Sequence, residues 1–186
     1  MAIDIGAGAA DYGAAGVWSA YTFLDKTNPA NASGTLDTFE IYFAALGVNG
    51  TEVKIGTFSG SGTDWDDRDY ESIGGVAKGS KQTFSGKNCD VVTNDIIGIY
   101  FAVGNIEANY SGGSGYLFVS GDKFGAGSSS YFLADADGKL ALYATGTEAS
   151  GAWTHITKVN GVASANIAKV NGIAVANIAK VNNVAV

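Results

Sequence analysis

The chain carries one cysteine, one histidine, one proline and one methionine in 186 residues. Cys89 has no partner for an internal disulfide, and a lone Cys with a lone His cannot complete a Cys/His zinc site. Stability must come from packing or from assembly. Basic residues are also sparse, eleven against eighteen acidic, and no Lys/Arg run concentrates them. A net charge of −7 repels phosphate backbones and anionic lipid surfaces, which sets nucleic acid aside as a partner. No apolar run approaches the roughly 20 residues of a membrane-spanning helix, so no membrane insertion is expected. The opening MAIDIGAGAADYGAAG lacks the basic start and leucine-rich core of a secretory signal. There is no Gly-rich phosphate loop, nucleophile elbow or metal-binding helix pattern, so neither a cofactor nor a catalytic residue is indicated and no enzyme is expected.

What the sequence does hold is 27 glycines, nine tyrosines and nine phenylalanines, a composition suited to short strands joined by tight turns. Residues 1–16, rich in Ala and Gly, read as a flexible arm. Residues 17–150 alternate strand and turn. In TLDTFEIYF, Phe39, Ile41 and Phe43 share one face and Asp37 interrupts it, while DIIGIYFAV places Ile97, Ile99, Phe101 and Val103 on one side. With Ile96, Tyr100 and Ala102 opposite them, that second run predicts a central strand covered on both faces. Shorter candidates are SAYTFL, EVKIGTF, KQTF, NCDVV, NIEANY, YLFV, SYFL and KLALYA, separated by turn-formers such as Gly60-Ser61-Gly62 and Gly74-Gly75. The spacing predicts an all-β fold: an antiparallel β-sandwich, with a jelly roll the favoured form.

Residues 151–186 form a tail in which ITKVNGVASAN, IAKVNGIAVAN and IAKVNNVAV repeat with a period of eleven residues. Such a period marks a fibre or solenoid. Apolar positions at this spacing would also suit a right-handed eleven-residue helical repeat. Against it, the units carry β-branched residues around Asn, and two have a central Gly that costs about 1 kcal/mol relative to Ala in a helix. Strands are favoured. Asn160-Gly161 and Asn171-Gly172 then read as hairpin turns, with Asn182-Asn183 in the equivalent place. The predicted pairs are Val159 with Val162, Val170 with Ile173, and Val181 with Val184, with Val175 on the same apolar face. Ile156, Ile167 and Ile178 fall on the opposite face. An isolated hairpin this small and this apolar is marginal in water, so these ten positions are the candidate oligomerisation surface, each tail interleaving with copies of itself.

The IAKVNGV-type units resemble the repeats at the ends of bacteriophage virion-associated proteins such as head fibres and neck or tail appendages. The preceding region, with LDTFEIYF, RDYESIG and CDVVTNDIIGIY, looks like a β-sandwich domain of uncharacterised phage proteins. The resemblance implies assembly as a trimer on a virion surface, with other virion or fibre subunits as partners and no catalytic motif. A virion-surface or extracellular location goes with it.

The densest polar cluster is Asp64, Trp65, Asp66, Asp67, Arg68, Asp69, Tyr70 and Glu71. Rings alternating with carboxylates can grip a sugar, the rings stacking on its apolar face and the carboxylates accepting from hydroxyls; oxygen ligation of Ca²⁺ is a second use and a solvated loop the plain one. If the cluster acts, Asp64, Trp65, Asp66, Asp67, Asp69 and Tyr70 are the candidate glycan contacts, on an exposed loop at one end of the sandwich. Asp135-Ala136-Asp137-Gly138 opens like a calcium loop, but Ala141 and Tyr143 stand where further ligands belong, so a hairpin turn is expected there. His155 is read as a linker residue and Cys89 as a partly buried small side chain in a strand. A structural, self-associating virion protein leads; a free carbohydrate-binding module is its rival, and a polysaccharide-degrading enzyme lacks an identifiable carboxylate pair.

Overall fold

The computed structural model describes residues 2–13 and 17–149, and in the tail residues 158–159, 162–163, 169–170, 173–174, 180–181 and 184–185. The chain divides into two compact units, Met1–Glu148 and Ala149–Val186.

Every regular element of the first unit is a strand: β1 (Ala2–Ile5), β2 (Tyr21–Asp25), β3 (Gly34–Tyr42), β4 (Gly50–Ser61), β5 (Asp64–Val76), β6 (Lys81–Val91), β7 (Ile96–Phe101), β8 (Ala108–Asn109), β9 (Tyr116–Ser120), β10 (Ser129–Ser130), β11 (Phe132–Asp135), β12 (Lys139–Leu140) and β13 (Leu142–Glu148). They form an antiparallel sandwich. One sheet has the order β1-β13-β3-β6 and the other β10-β5-β4-β7-β2-β9-β11, with β8 and β12 as a separate small pair. No strand of the smaller sheet pairs with its neighbour in sequence, because the chain crosses between layers after each one, as in a jelly roll.

The predicted core is the observed one. Phe39, Ile41, Phe43, Ile97, Ile99 and Phe101 are all fully buried in a single cluster between the sheets. Burial of such a side chain is worth about 1.5–3 kcal/mol. Strand β7 lies between β4 and β2, and its other face is covered too, Ile96 packing into a second cluster with Leu24, Phe58, Trp65, Leu117, Phe124 and Tyr131. Gly98 belongs on that face because a Cβ there would stand 2.5 Å from the Phe58 ring and 2.6 Å from Leu24. Asp37 resolves as a bulge. Leu36 and Thr38 both find partners on β6 and β13 while Asp37 has none, so the extra residue lets Leu36 and Phe39 face the same core despite their odd spacing.

Four expectations are corrected. The described part of the expected arm is not free: β1 pairs with β13, and Ile3 and Ile5 are fully buried in the main core. The isoleucines flanking Asp4 were signal enough for an edge strand, masked by the Ala/Gly that follows. The Asp64–Glu71 cluster, expected on an exposed loop, lies in β5, the longest of the described strands, paired with β4 through the turn at Gly62, whose φ of +60° suits glycine. KQTF and NCDVV are one strand, joined through Gly86 at φ +73°. Finally, Asp135–Gly138 is a turn but no hairpin. The Asp137 amide donates to Asp135 Oδ1 at 2.8 Å, while β11 pairs with β9 and β12 with β8.

The second unit is described through its strands. β14 (Lys158–Val159) pairs with β15 (Val162–Ala163), β16 (Lys169–Val170) with β17 (Ile173–Ala174), and β18 (Lys180–Val181) with β19 (Val184–Ala185). The registers Val159↔Val162, Val170↔Ile173 and Val181↔Val184 are those the repeat predicts, and a helix is excluded for these residues.

Candidate functional site

Strand β5 does not present its acids as a site. Trp65 is only 7% exposed; its ring lies in the second core cluster and its indole N–H donates to the Gly62 carbonyl at 3.2 Å. The ring therefore offers no face to a sugar, which corrects the expected exposed loop. The bulge between Asp67 and Asp69 then sends the carboxylates to different tasks. Asp67 accepts the amides of Gly125 and Gly127 at 2.8 and 2.9 Å, tying down the segment that carries Phe124 over the outer face of the larger sheet. Asp64 accepts from the Ser130 hydroxyl. Arg68 reaches the buried Asp95, donating from Nη2 to Oδ1 at 3.0 Å, and that contact raises the guanidinium pKa.

Asp69 and Glu71 point toward the other sheet, where they accept the amides of Asp90 and Asn88 at 2.8 and 2.9 Å. These amides belong to β6, an edge strand, and a carboxylate against an edge amide blocks pairing with a foreign strand. The opposite edge, β1, is closed the same way: the Asp4 amide donates to Asn31 Oδ1 at 3.2 Å and Asn31 Nδ2 donates to the Ala2 carbonyl at 3.4 Å. The acid-rich strand is thus a set of structural clasps. Tyr70 lies against Phe124, with ring centroids 5.1 Å apart, and takes Lys54 Nζ over its face. Among the described residues no group of three or more His, Cys, Asp or Glu could hold a metal ion.

Cys89 lies in β6 as expected but is fully and not partly buried, and burial, reinforced by Asp69, pushes its thiol up to about 12, which keeps it protonated. A wide depression of about 590 Å³ lies beside Gly6, Gly8, Tyr12, Thr27 and Lys139. Its glycine amides are already spent on the carbonyls of Asn28 and Leu142, and Lys139 Nζ sits over the Tyr12 ring, so no anion cradle results.

A deeper concavity lies where β9 and β11 carry the larger sheet past β2. It encloses about 350 Å³ between the sheet and the segments holding Val17, Trp18 and Tyr110. Phe23 and Tyr116, both 3% exposed, lie at its base, while Trp18 at 70% and Tyr110 at 52% stand at its mouth. Phe118, Leu133 and Ala134 complete the wall. A run of rings supports it: Trp18 to Tyr21 at 6.4 Å, Tyr21 to Phe118 at 5.8 Å, and Phe118 to Phe132 at 5.9 Å. Burial first, then Tyr110 and Asp135, raises the Tyr116 hydroxyl to about 12, so it remains a hydrogen-bond donor at neutral pH. Reading the sequence missed this cleft because its residues come from four separated segments. The one local signal was Trp18, a large aromatic among the small residues before β2.

Of the ten tail positions named for oligomerisation, Val159, Val162, Val170, Ile173, Val181 and Val184 lie in the paired strands. Ile156, Ile167, Val175 and Ile178 lie outside the described residues, as do the Asn-Gly turns and His155. No protein-family model, curated protein or solved structure matches the chain.

Proposed function

We propose that this protein is a structural, homo-oligomeric component of a virion surface or a comparable extracellular assembly, with the jelly-roll unit as its outward knob and the repeats as its assembly element. The observation that carries this reading is the tail register. The same antiparallel pairing recurs every eleven residues, at Val159↔Val162, Val170↔Ile173 and Val181↔Val184, with two paired residues on each strand. Hairpins of that size do not bury enough to stand alone in water, whereas copies brought together close apolar strands on one another in a register set by the repeat. The partners are then further copies of the chain, a trimer by the resemblance of the repeats, and neighbouring fibre or virion subunits. The use of acids on β5 and of Asn31 to close sheet edges supports a knob that stays discrete while its tail associates.

A second reading, a free carbohydrate-binding module whose tail only multiplies weak sites, is favoured by the aromatic cleft. Light scattering on the full chain and on a chain lacking residues 156–186 tests the first. The full chain should run as an oligomer, a trimer or a longer fibre, and the truncated chain as a folded monomer. A full-length chain that stays monomeric at micromolar concentration overturns the assembly reading and leaves the module.

A further inference from the structure

We infer that the cleft between Trp18, Tyr110 and the β9–β11 end of the larger sheet is a binding site for a neutral pyranose-based saccharide. The inference does not rest on the tail: every residue lining the cleft belongs to the first unit.

The cleft differs from a scattered apolar surface in having depth. Its base is made by Phe23 and Tyr116, which are nearly inaccessible, and its mouth by Trp18, the most exposed aromatic ring among the described residues. At about 350 Å³ it is at the small end of the range for ligand sites. An exposed tryptophan costs solubility and serves no core. It is held beside the cleft by its packing on Tyr21 and by the Val17 amide donating to the Ile106 carbonyl at 3.0 Å. The lining joins apolar ring faces with the phenols of Tyr110 and Tyr116, the mixture that matches a sugar ring, whose C–H face is apolar and whose rim is hydroxylated.

Charge narrows the class. Among the described residues no Lys or Arg lines the cleft, Asp135 acts on Tyr116 from beside it, and the whole chain carries −7, so sialylated, sulfated or phosphorylated ligands are repelled. The wall is mostly apolar, but the phenols of Tyr110 and Tyr116 set into it can meet hydroxyl groups, which a simple alkyl chain does not offer. A second copy of the chain would have to insert a side chain past Trp18, and it is treated as an outcome of the test.

The experiment uses the full chain with cellopentaose, chitopentaose and maltopentaose as neutral probes, 3′-sialyllactose as the anionic control and 1-octanol as the apolar one, followed by saturation-transfer NMR and isothermal titration. At least one neutral pentasaccharide should bind in the millimolar range or tighter. Trp18→Ala, with Tyr110→Ala as the second rim variant, should weaken it tenfold or more with the near-ultraviolet dichroism of the fold retained. Asp66→Ala on β5 should leave it unchanged. No binding by any neutral probe, binding indifferent to both rim variants, or preference for sialyllactose or octanol overturns the inference. Dissociation of the oligomer by Trp18→Ala without saccharide binding overturns it in favour of a second copy. Because the readout is saccharide affinity and not mass, failure here is distinct from failure of the assembly reading.

Discussion

The Asp25 carboxylate accepts the backbone amide of Leu140 at 2.9 Å, joining residues 115 apart in sequence beneath a completely buried surface. Its other oxygen accepts the Thr27 amide at 2.8 Å. Burial outweighs these bonds and the nearby Lys139, and the Asp25 pKa rises from the ordinary 3.8 to about 6.

This fixes the sign of a pH effect. A folded-state pKa above the unfolded one means that the folded chain holds the proton more tightly, so the Asp25 contribution favours folding in acid and declines as pH rises from about 4 to about 6. A shift of about two units corresponds to roughly 3 kcal/mol. Urea titrations of wild type and Asp25→Asn at pH 4, 5, 6 and 7 isolate it: the difference between the two stabilities should change across that window and stay flat above it. A constant difference from pH 4 to 7 would remove Asp25 as its source.

Arg68 should matter more than any other charged residue of β5. Its loss leaves Asp95, 3% exposed and otherwise bonded to the Val92 amide at 2.8 Å, as a buried carboxylate without its cation. Discounted for the partial exposure of Arg68, Arg68→Ala should cost about 2–3 kcal/mol, whereas the exposed Asp66→Ala should stay within about 0.5 kcal/mol. Denaturant midpoints measure both.

The first residues should be indispensable to the knob. Ile5→Ala removes a fully buried side chain from the main core and should cost about 2–5 kcal/mol, visible as a lower melting temperature. A dispensable arm would show no change.

The Tyr131 hydroxyl is buried without a hydrogen-bond partner, and burial together with Asp67 raises its pKa. Tyr131→Phe removes that polar group while keeping the ring against Phe58, so it should be neutral or stabilise the fold by about 1 kcal/mol. A loss above that amount in the same denaturant assay would show that the hydroxyl is satisfied in solution.

Local pattern alone determined the all-β class, the strands at Phe39–Tyr42 and Ile97–Phe101, and the tail pairing, because period-two alternation and the repeated sequence around each Asn act over a few residues and no distant group contradicts them. Tertiary structure decided the rest. The charged run at Asp64–Glu71 reads as a loop until β4 supplies a partner and the amides of Asn88, Asp90, Gly125 and Gly127 supply something for each carboxylate to bind. A burial that depends on residues tens of positions away leaves no periodic trace in the segment itself. The same holds for the cleft, where Trp18, Tyr110, Tyr116 and Leu133 meet only because β9 and β11 extend one sheet beyond β2, a consequence of strand order and not of any motif.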